Sequence, residues 1–409
     1  MSLFVHRHKK HFYSTPIAKL SVVSMIVALS SAMIDSVWAI YLDSFIHSEV
    51  GVGIISAALT LISLISYFIF IPLIQKSDKS KLFSNSLILF SSAYLLFAWV
   101  SNFFFFLLLA ITVTLLYVLR MTSFGILVKD SSPEKELVKN EGLVYTFFNL
   151  AWVLGPLLAG FLLAEFGNLT GTTLVFVCAS LFIIIAFFIF KLADIKNTNV
   201  IKKPNKKVWR NFIEFFKQKD RILAYILGGG VYLWFCFIYL FIPLHIIRSG
   251  LPESYVGYFL FAAAIPFILF EYYFAKKACD IGFKKIFKLG YLLIAFCSFI
   301  CFFLTNIYFI LGILVIASIG IAMVEPIAEA YFFDVLKTKK GELKFYSPYT
   351  TTVDVSHFVG RVSSAIVLLF LPFKFLFLLF AVFMFGLFLI SGKIRNVIES
   401  RKDGRENKA

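Results

Sequence analysis

Charge is what this chain has least of. Only 15% of its 409 residues are charged, and 23 acidic side chains stand against 39 Lys and Arg. With 60% hydrophobic residues alongside, that scarcity excludes an ordinary soluble domain. Cysteine is rare as well. Cys178, Cys236, Cys297 and Cys301 lie in apolar runs and Cys279 lies near a Lys-rich loop, all without metal-ligand spacing. They read as packing residues, and neither a metal nor any other cofactor is expected. A paired-Asp motif at a membrane face is missing, as is a Gly-rich nucleotide loop. Those absences weigh against an enzyme, in particular a membrane-integral lipid-linked transferase. The first apolar run has no small-residue cleavage site and continues through Asp35 to Trp38 and Tyr41, so it is expected to stay as a span.

What the chain has instead is apolar length. The mean hydropathy is +0.89, and runs of about 20 residues recur, each long enough to cross ~30 Å of hydrocarbon. Twelve are counted, at 17–42, 50–74, 82–100, 103–128, 141–164, 171–191, 221–247, 254–275, 286–304, 307–333, 346–370 and 373–392. Of the 39 basic residues, 35 fall in the first segment, the alternate loops and the tail. Arg248 and Lys374 lie on the opposite side, and Arg120 and Arg361 lie inside spans. The net charge of +16 is thus a membrane-topology signal and not a nucleic-acid footprint. It puts both termini in the cytoplasm of a multi-pass protein of the inner or plasma membrane. The expected fold is an all-α membrane protein of twelve transmembrane helices.

Two copies of one unit make up the chain. An offset of 205 carries Asn149 onto Asp354, Gly155 onto Gly360 and Arg120 onto Glu325, and an offset of 204 carries Gly53 onto Gly257 and Asp78 onto Gly282. Residues 1–192 and 221–409 then form two six-helix bundles, the second ending in a basic cytoplasmic tail. Residues 193–220 form a basic cytoplasmic linker, in which Val208, Phe212, Phe215 and Phe216 recur at helical spacing among Lys206, Lys207, Arg210 and Lys217. That pattern suits an amphipathic helix lying on an anionic leaflet.

Two such halves resemble the major facilitator superfamily across essentially the whole chain, in particular its twelve-helix drug/proton antiporter type. Gly155-Pro156-Leu157-Leu158-Ala159-Gly160 resembles the family's fifth-helix motif, often found in antiporters. Arg120 sits where many drug-exporting members carry a basic residue. The loop motif between spans two and three is degenerate: Gln75-Lys76-Ser77-Asp78-Lys79 has Gln in place of Asp and Asp in place of Gly. Its second copy, Asp280-Ile281-Gly282-Phe283-Lys284-Lys285, keeps the glycine and lysines with Asp280 displaced. Because small residues let helices approach closely, Gly155 and Pro156 are expected to pack against span eight.

Ionisable side chains within spans are costly and are functional hypotheses by default. Here they are Asp35, Arg120, Glu271, Glu325, Glu329, Asp354, His357 and Arg361. Glu325 and Glu329 share one helical face, and Asp354, His357 and Arg361 share another, about 60° wide. Counted at ~1.5 Å per residue, these two groups fall at matching depths of roughly 10–22 Å. Asp35 and Arg120, counted the same way, are about 14 Å apart in depth, too far for direct pairing unless waters or rearranged helices bridge them.

Protonation can release a carboxylate from Arg or His, so Glu325 and Asp35 lead as proton carriers, with Glu329, Asp354 and His357 behind them. Arg120 and Arg361 are their electrostatic partners. In the family's cavity, Trp38, Tyr41, Tyr145, Asn149, Trp152, Tyr232 and Trp234 would be substrate contacts. Their chemistry suits a lipophilic or cationic molecule better than a sugar. The function expected is proton-coupled export of small amphipathic compounds by alternating access, by a monomer in a lipid bilayer. Metabolite uptake or facilitated diffusion is the alternative within transport. A receptor or scaffold would have little use for buried charge.

Overall fold

The computed structural model describes residues 16–132, 137–195, 208–336 and 339–394. Every regular element among them is helical. Spans one to six are Pro16–Ile46, Glu49–Lys76, Lys79–Phe97, Phe103–Asp130, Leu137–Phe166 and Asn168–Leu192. The linker carries a short helix, Val208–Phe215. Span seven is Lys219–Cys236, then a π-helical turn, Phe237–Phe241, then Ile242–Arg248. Spans eight to ten are Ser254–Ile281, Phe283–Phe303 and Ile307–Leu336. Span eleven comes in two pieces, Lys339–Thr350 and Thr352–Phe370, and span twelve is Lys374–Ser391. All twelve expected spans are present. Eleven are long and apolar enough to cross a membrane by composition; the third, diluted by Lys79, Lys81 and five serines, is less apolar.

The degenerate loop motifs have structural work at helix starts. The Asp78 carboxylate accepts from the backbone N–H groups of Ser80 at 3.0 Å and Lys81 at 3.2 Å, capping span three. Lys79 is buried and Lys76 exposed. In the second copy Gly282 takes φ +92° at the entry to span nine, where a side chain would strain the turn. Asp280 beside it is exposed, and Lys284 is half-buried.

Contacts divide the chain into two compact units. One contains the described residues of Met1–Tyr41, Leu61–Asn205 and Pro252–Tyr258; the other contains those of Leu42–Thr60, Lys206–Leu251 and Phe259–Ala409. Their boundaries fall inside spans one, two and eight. In the first unit span three packs on spans four and six. Lipid offers helices no hydrophobic force toward each other, so close packing and interhelical hydrogen bonds take over. Ser180 donates to the Ser91 carbonyl at 2.9 Å, and Ser30 donates to the Ala179 carbonyl at 2.8 Å. The second unit repeats the neighbour pattern: span nine packs on spans ten and twelve. Gly290 and Gly320 bring the backbones of spans nine and ten together, since a Cβ on either would lie 2.7 Å from the other's carbonyl oxygen.

The linker helix turns Phe215 toward protein. Phe215 is fully buried, with ring centroids 5.9 Å from Tyr225, 6.1 Å from Phe345 and 6.3 Å from Phe332. Lys344 donates to Glu214, and Arg221 donates to the Glu214 carbonyl at 2.8 Å. The Lys344 hydrogen bond holds the Glu214 carboxyl below its ordinary range. A depressed carboxylate stabilises the folded state at neutral pH and loses that contribution as pH falls through its folded value.

Candidate functional site

The first unit holds a buried arginine well inside a span. Arg120, on span four, is 4% exposed. Its guanidinium lies 4.9 Å from the Phe90 ring centroid and 5.5 Å from that of Tyr117. Its Nη2 donates a long bond, 3.5 Å, to Ser31 Oγ on span one, and its Nε–H finds no protein acceptor. A buried charge this sparsely hydrogen-bonded needs other compensation, and two ring faces and a nearby acid supply it. The acid is Asp35, one turn beyond Ser31, whose charge acts on Arg120. Tyr94 joins them: its buried hydroxyl interacts with Ser31 and with both charges.

Side-chain direction lets the charges of Asp35 and Arg120 act on each other. Spans one and four run antiparallel, and each side chain leans toward the N-terminus of its own helix, hence toward the other. Counting Cα positions alone leaves that lean out. Ser31 and Tyr94 were not singled out from the sequence. The available signal was the one-turn spacing of Ser31 and Asp35 on span one.

In the second unit the basic stripe of span eleven faces spans seven and two. Arg361 Nη1 donates to the Ser56 carbonyl at 2.9 Å and to Thr60 Oγ1. Its charge also acts on Cys236, whose thiol donates to the His357 carbonyl at 3.8 Å. The His357 ring meets Tyr232 edge-on at 6.2 Å. Gly229 and Gly360 permit this crossing: a Cβ on the first would lie 2.6 Å from Ser356 Oγ, and on the second 3.1 Å from Cys236 Sγ. Glu329, exposed on span ten, accepts from the Tyr346 hydroxyl at 3.1 Å, reaching the first piece of span eleven below that stripe. Asp354 lies in the first turn of Thr352–Phe370, where a negative charge is favourable to the helix dipole. Glu325 is half-buried, as is Asp35.

The aromatic candidates separate into packing and lining. Trp38 and Tyr41 lie in a cluster with Phe97, Phe106 and Phe176, and the Tyr41 hydroxyl donates to the Phe97 carbonyl at 2.7 Å. Tyr145, Phe148 and Trp152 form a ladder along span five with centroids 6.1 and 6.0 Å apart, and Asn149 lies half-buried beside it. Trp234 is fully buried and walls a small crevice with Phe235, Tyr239, Phe267 and Ser318. Trp234 and Phe235 lie just before the π-helical turn, and Tyr239 lies within it.

The fifth-span glycines part company. A Cβ on Gly155 would lie 2.5 Å from Ala32 Cβ, so Gly155 packs on span one and not, as its motif suggested, on span eight. Pro156 and Gly160 do meet span eight, at Gly257. The sequence put Gly155 there because its helical face was inferred from the motif alone.

One ion pair was not anticipated. Arg248 Nη2 donates to both carboxylate oxygens of Asp43, at 2.7 and 3.0 Å, and its Nε lies 3.9 Å from Glu49. It joins the end of span one, the start of span two and the end of span seven. The Asp43 side chain is only 8% exposed while Arg248 is 41% exposed. Arg248→Ala is therefore expected to destabilise by about 1–2 kcal/mol, the range for a charged hydrogen bond discounted for solvent screening. Hydrogen exchange of residues 43–50 and 244–250 should accelerate with it. Unchanged exchange there would mean that the pair holds nothing closed.

Comparison with known proteins agrees with this architecture. Residues 20–343 match the family profile described as Major Facilitator Superfamily. A Sugar efflux transporter B from Salmonella typhimurium (strain LT2) is 23% identical over 358 residues, covering 83% of this chain and 85% of that protein. Among solved structures, a POT family transporter in complex with 5-aminolevulinic acid superposes with a TM-score of 0.73 at 12% identity, covering 91% of this chain and 94% of that one. The nucleoside transporter NupG does so with a TM-score of 0.73 at 10% identity, covering 92% and 99%. At such identities the structural likenesses speak for the fold alone. Since the profile spans most of the sequence, this multi-pass membrane protein belongs to the Major Facilitator Superfamily of transporters.

Proposed function

We propose that the chain is a proton-coupled exporter, a monomer with both termini in the cytoplasm, and that Asp35 is the proton carrier with Arg120 as its electrostatic partner. The observation that carries this reading is the buried Arg120, held by two rings and one long hydrogen bond, with Asp35 one turn from its serine partner. An ionised Asp35 is stabilised by the guanidinium, whereas burial favours the protonated form. Alternating exposure of the pair to the two sides changes the balance, and with it the proton occupancy. Export is supported by the similarity to a sugar efflux transporter. Glu325, half-buried on span ten, is the second candidate carrier.

A second reading concerns the substrate. The aromatic ladder of span five favours an amphipathic molecule with an apolar face. The relative's name favours a sugar, and aromatic faces beside hydroxyl and charged groups serve that chemistry as well. One experiment addresses both. Everted vesicles energised with a proton gradient are challenged with sugars and with amphipathic cations, and internal pH is followed. An alkalinising response to one class identifies that class and supports coupling. Substrate accumulation that persists after the proton gradient is collapsed would overturn the coupling.

A further inference from the structure

We propose that the outer face of the linker helix Val208–Phe215 binds the anionic headgroup surface of the membrane, so that lipid charge fixes the helix against spans seven, ten and eleven. With Phe215 turned inward, the opposite side of the helix presents Arg210 and Ile213, about 60° apart at 100° per residue, and the exposed Lys217 follows in the turn after it. Ile213 is 61% exposed, and Phe216 beside this face is 43% exposed. Lys217 and Lys219 extend the positive surface toward span seven.

Height supports a lipid partner. Phe215 packs level with Tyr225, six residues into span seven, and with Phe332, four residues from the end of span ten. At 1.5 Å per residue those levels are about 9 and 6 Å inside the helix ends. The helix therefore lies beside the near ends of spans seven and ten, where the headgroups of a bilayer would meet it. A basic face bearing an isolated isoleucine matches an anionic interface in charge and in apolar reach. The inner contacts, the Lys344–Glu214 pair and Arg221 with its guanidinium carbon 4.0 Å from the Phe345 ring centroid, couple the helix to the entry of span eleven.

The test uses the full chain in nanodiscs of phosphatidylcholine alone or mixed equally with phosphatidylglycerol. Hydrogen exchange of residues 208–217 is measured in each. The anionic lipid should slow exchange by about tenfold, and high salt should erase the difference. Arg210→Gln with Lys217→Gln should abolish the lipid dependence while exchange within spans seven and ten stays unchanged. Ile213→Asp should reduce it by a second route. Equal exchange in the two lipids overturns the proposal, as does a lipid effect that survives the double neutralisation. Protection by soluble inorganic phosphate in place of lipid would also overturn it, since the surface would then be a simple anion site.

Discussion

Asp35→Asn is expected to abolish proton-driven accumulation while energy-independent exchange of substrate remains measurable. Asparagine keeps the size and a hydrogen-bonding oxygen, so it imitates the protonated acid without being able to ionise. The cluster of Ser31, Tyr94 and Arg120 then keeps its packing but loses its counter-charge. Exchange needs only the conformational change, whereas accumulation needs a proton carried with each cycle. Arg120→Ala is expected to weaken both activities, because it removes the buried cation and the stacking on Phe90 and Tyr117 together. Truncating one partner of a buried pair typically costs about 3–5 kcal/mol, so Arg120→Ala is also expected to melt earlier. Glu325→Gln, made in parallel, distinguishes the two candidate carriers. Normal accumulation by Asp35→Asn under a proton gradient would make Asp35 structural and move the role to Glu325.

Gly257→Val is expected to eliminate transport altogether. An added Cβ at this position would lie 2.4 Å from the Pro156 carbonyl oxygen and 2.6 Å from both the nitrogen and the Cα of Gly160. All three are backbone atoms, so no side chain can rotate away. Spans five and eight must separate or shift, and a membrane interior supplies no hydrophobic force to press them back. Overpacking costs about 1–3 kcal/mol in ordinary cores, and a backbone-on-backbone clash belongs at the upper end. Gly312 provides the control, because a Cβ there meets nothing within 4 Å. Gly312→Val should insert, melt and transport almost as the natural chain does. Equal melting temperatures and equal transport for the two valine variants would show that the crossing tolerates separation.

The span count was legible because hydropathy acts one helix at a time: a run of about 20 apolar residues needs no partner to declare itself. Even the dilute third span was found, since its loop charges alternated correctly with those of its neighbours. Which face of each helix meets which partner was less accessible. Gly155 and Pro156 are adjacent in sequence, yet about 100° apart around the helix, and they touch spans one and eight respectively. Likewise the apolar stripe of the linker helix was plain, but sequence cannot say whether an amphipathic face meets lipid or protein. Arg361 illustrates the same limit. Its partners, Ser56 and Thr60, lie some 300 residues away on span two, and nothing local in either segment announces the other. The Arg248–Asp43 pair did leave a signal. Arg248 is one of two basic residues on its side of the chain, and a lone cation there invites a search for its acid.

That pair also closes a long circuit of the chain. Asp43 and Arg248 are 205 positions apart in sequence, and one guanidinium holds the end of span one, the start of span two and the end of span seven together. The entropy of closing a loop grows only with the logarithm of its length, so a contact this distant costs little more to close than one a fraction as far along the chain. The ion pair is a clasp that can form late, once the helices on either side of it are in place.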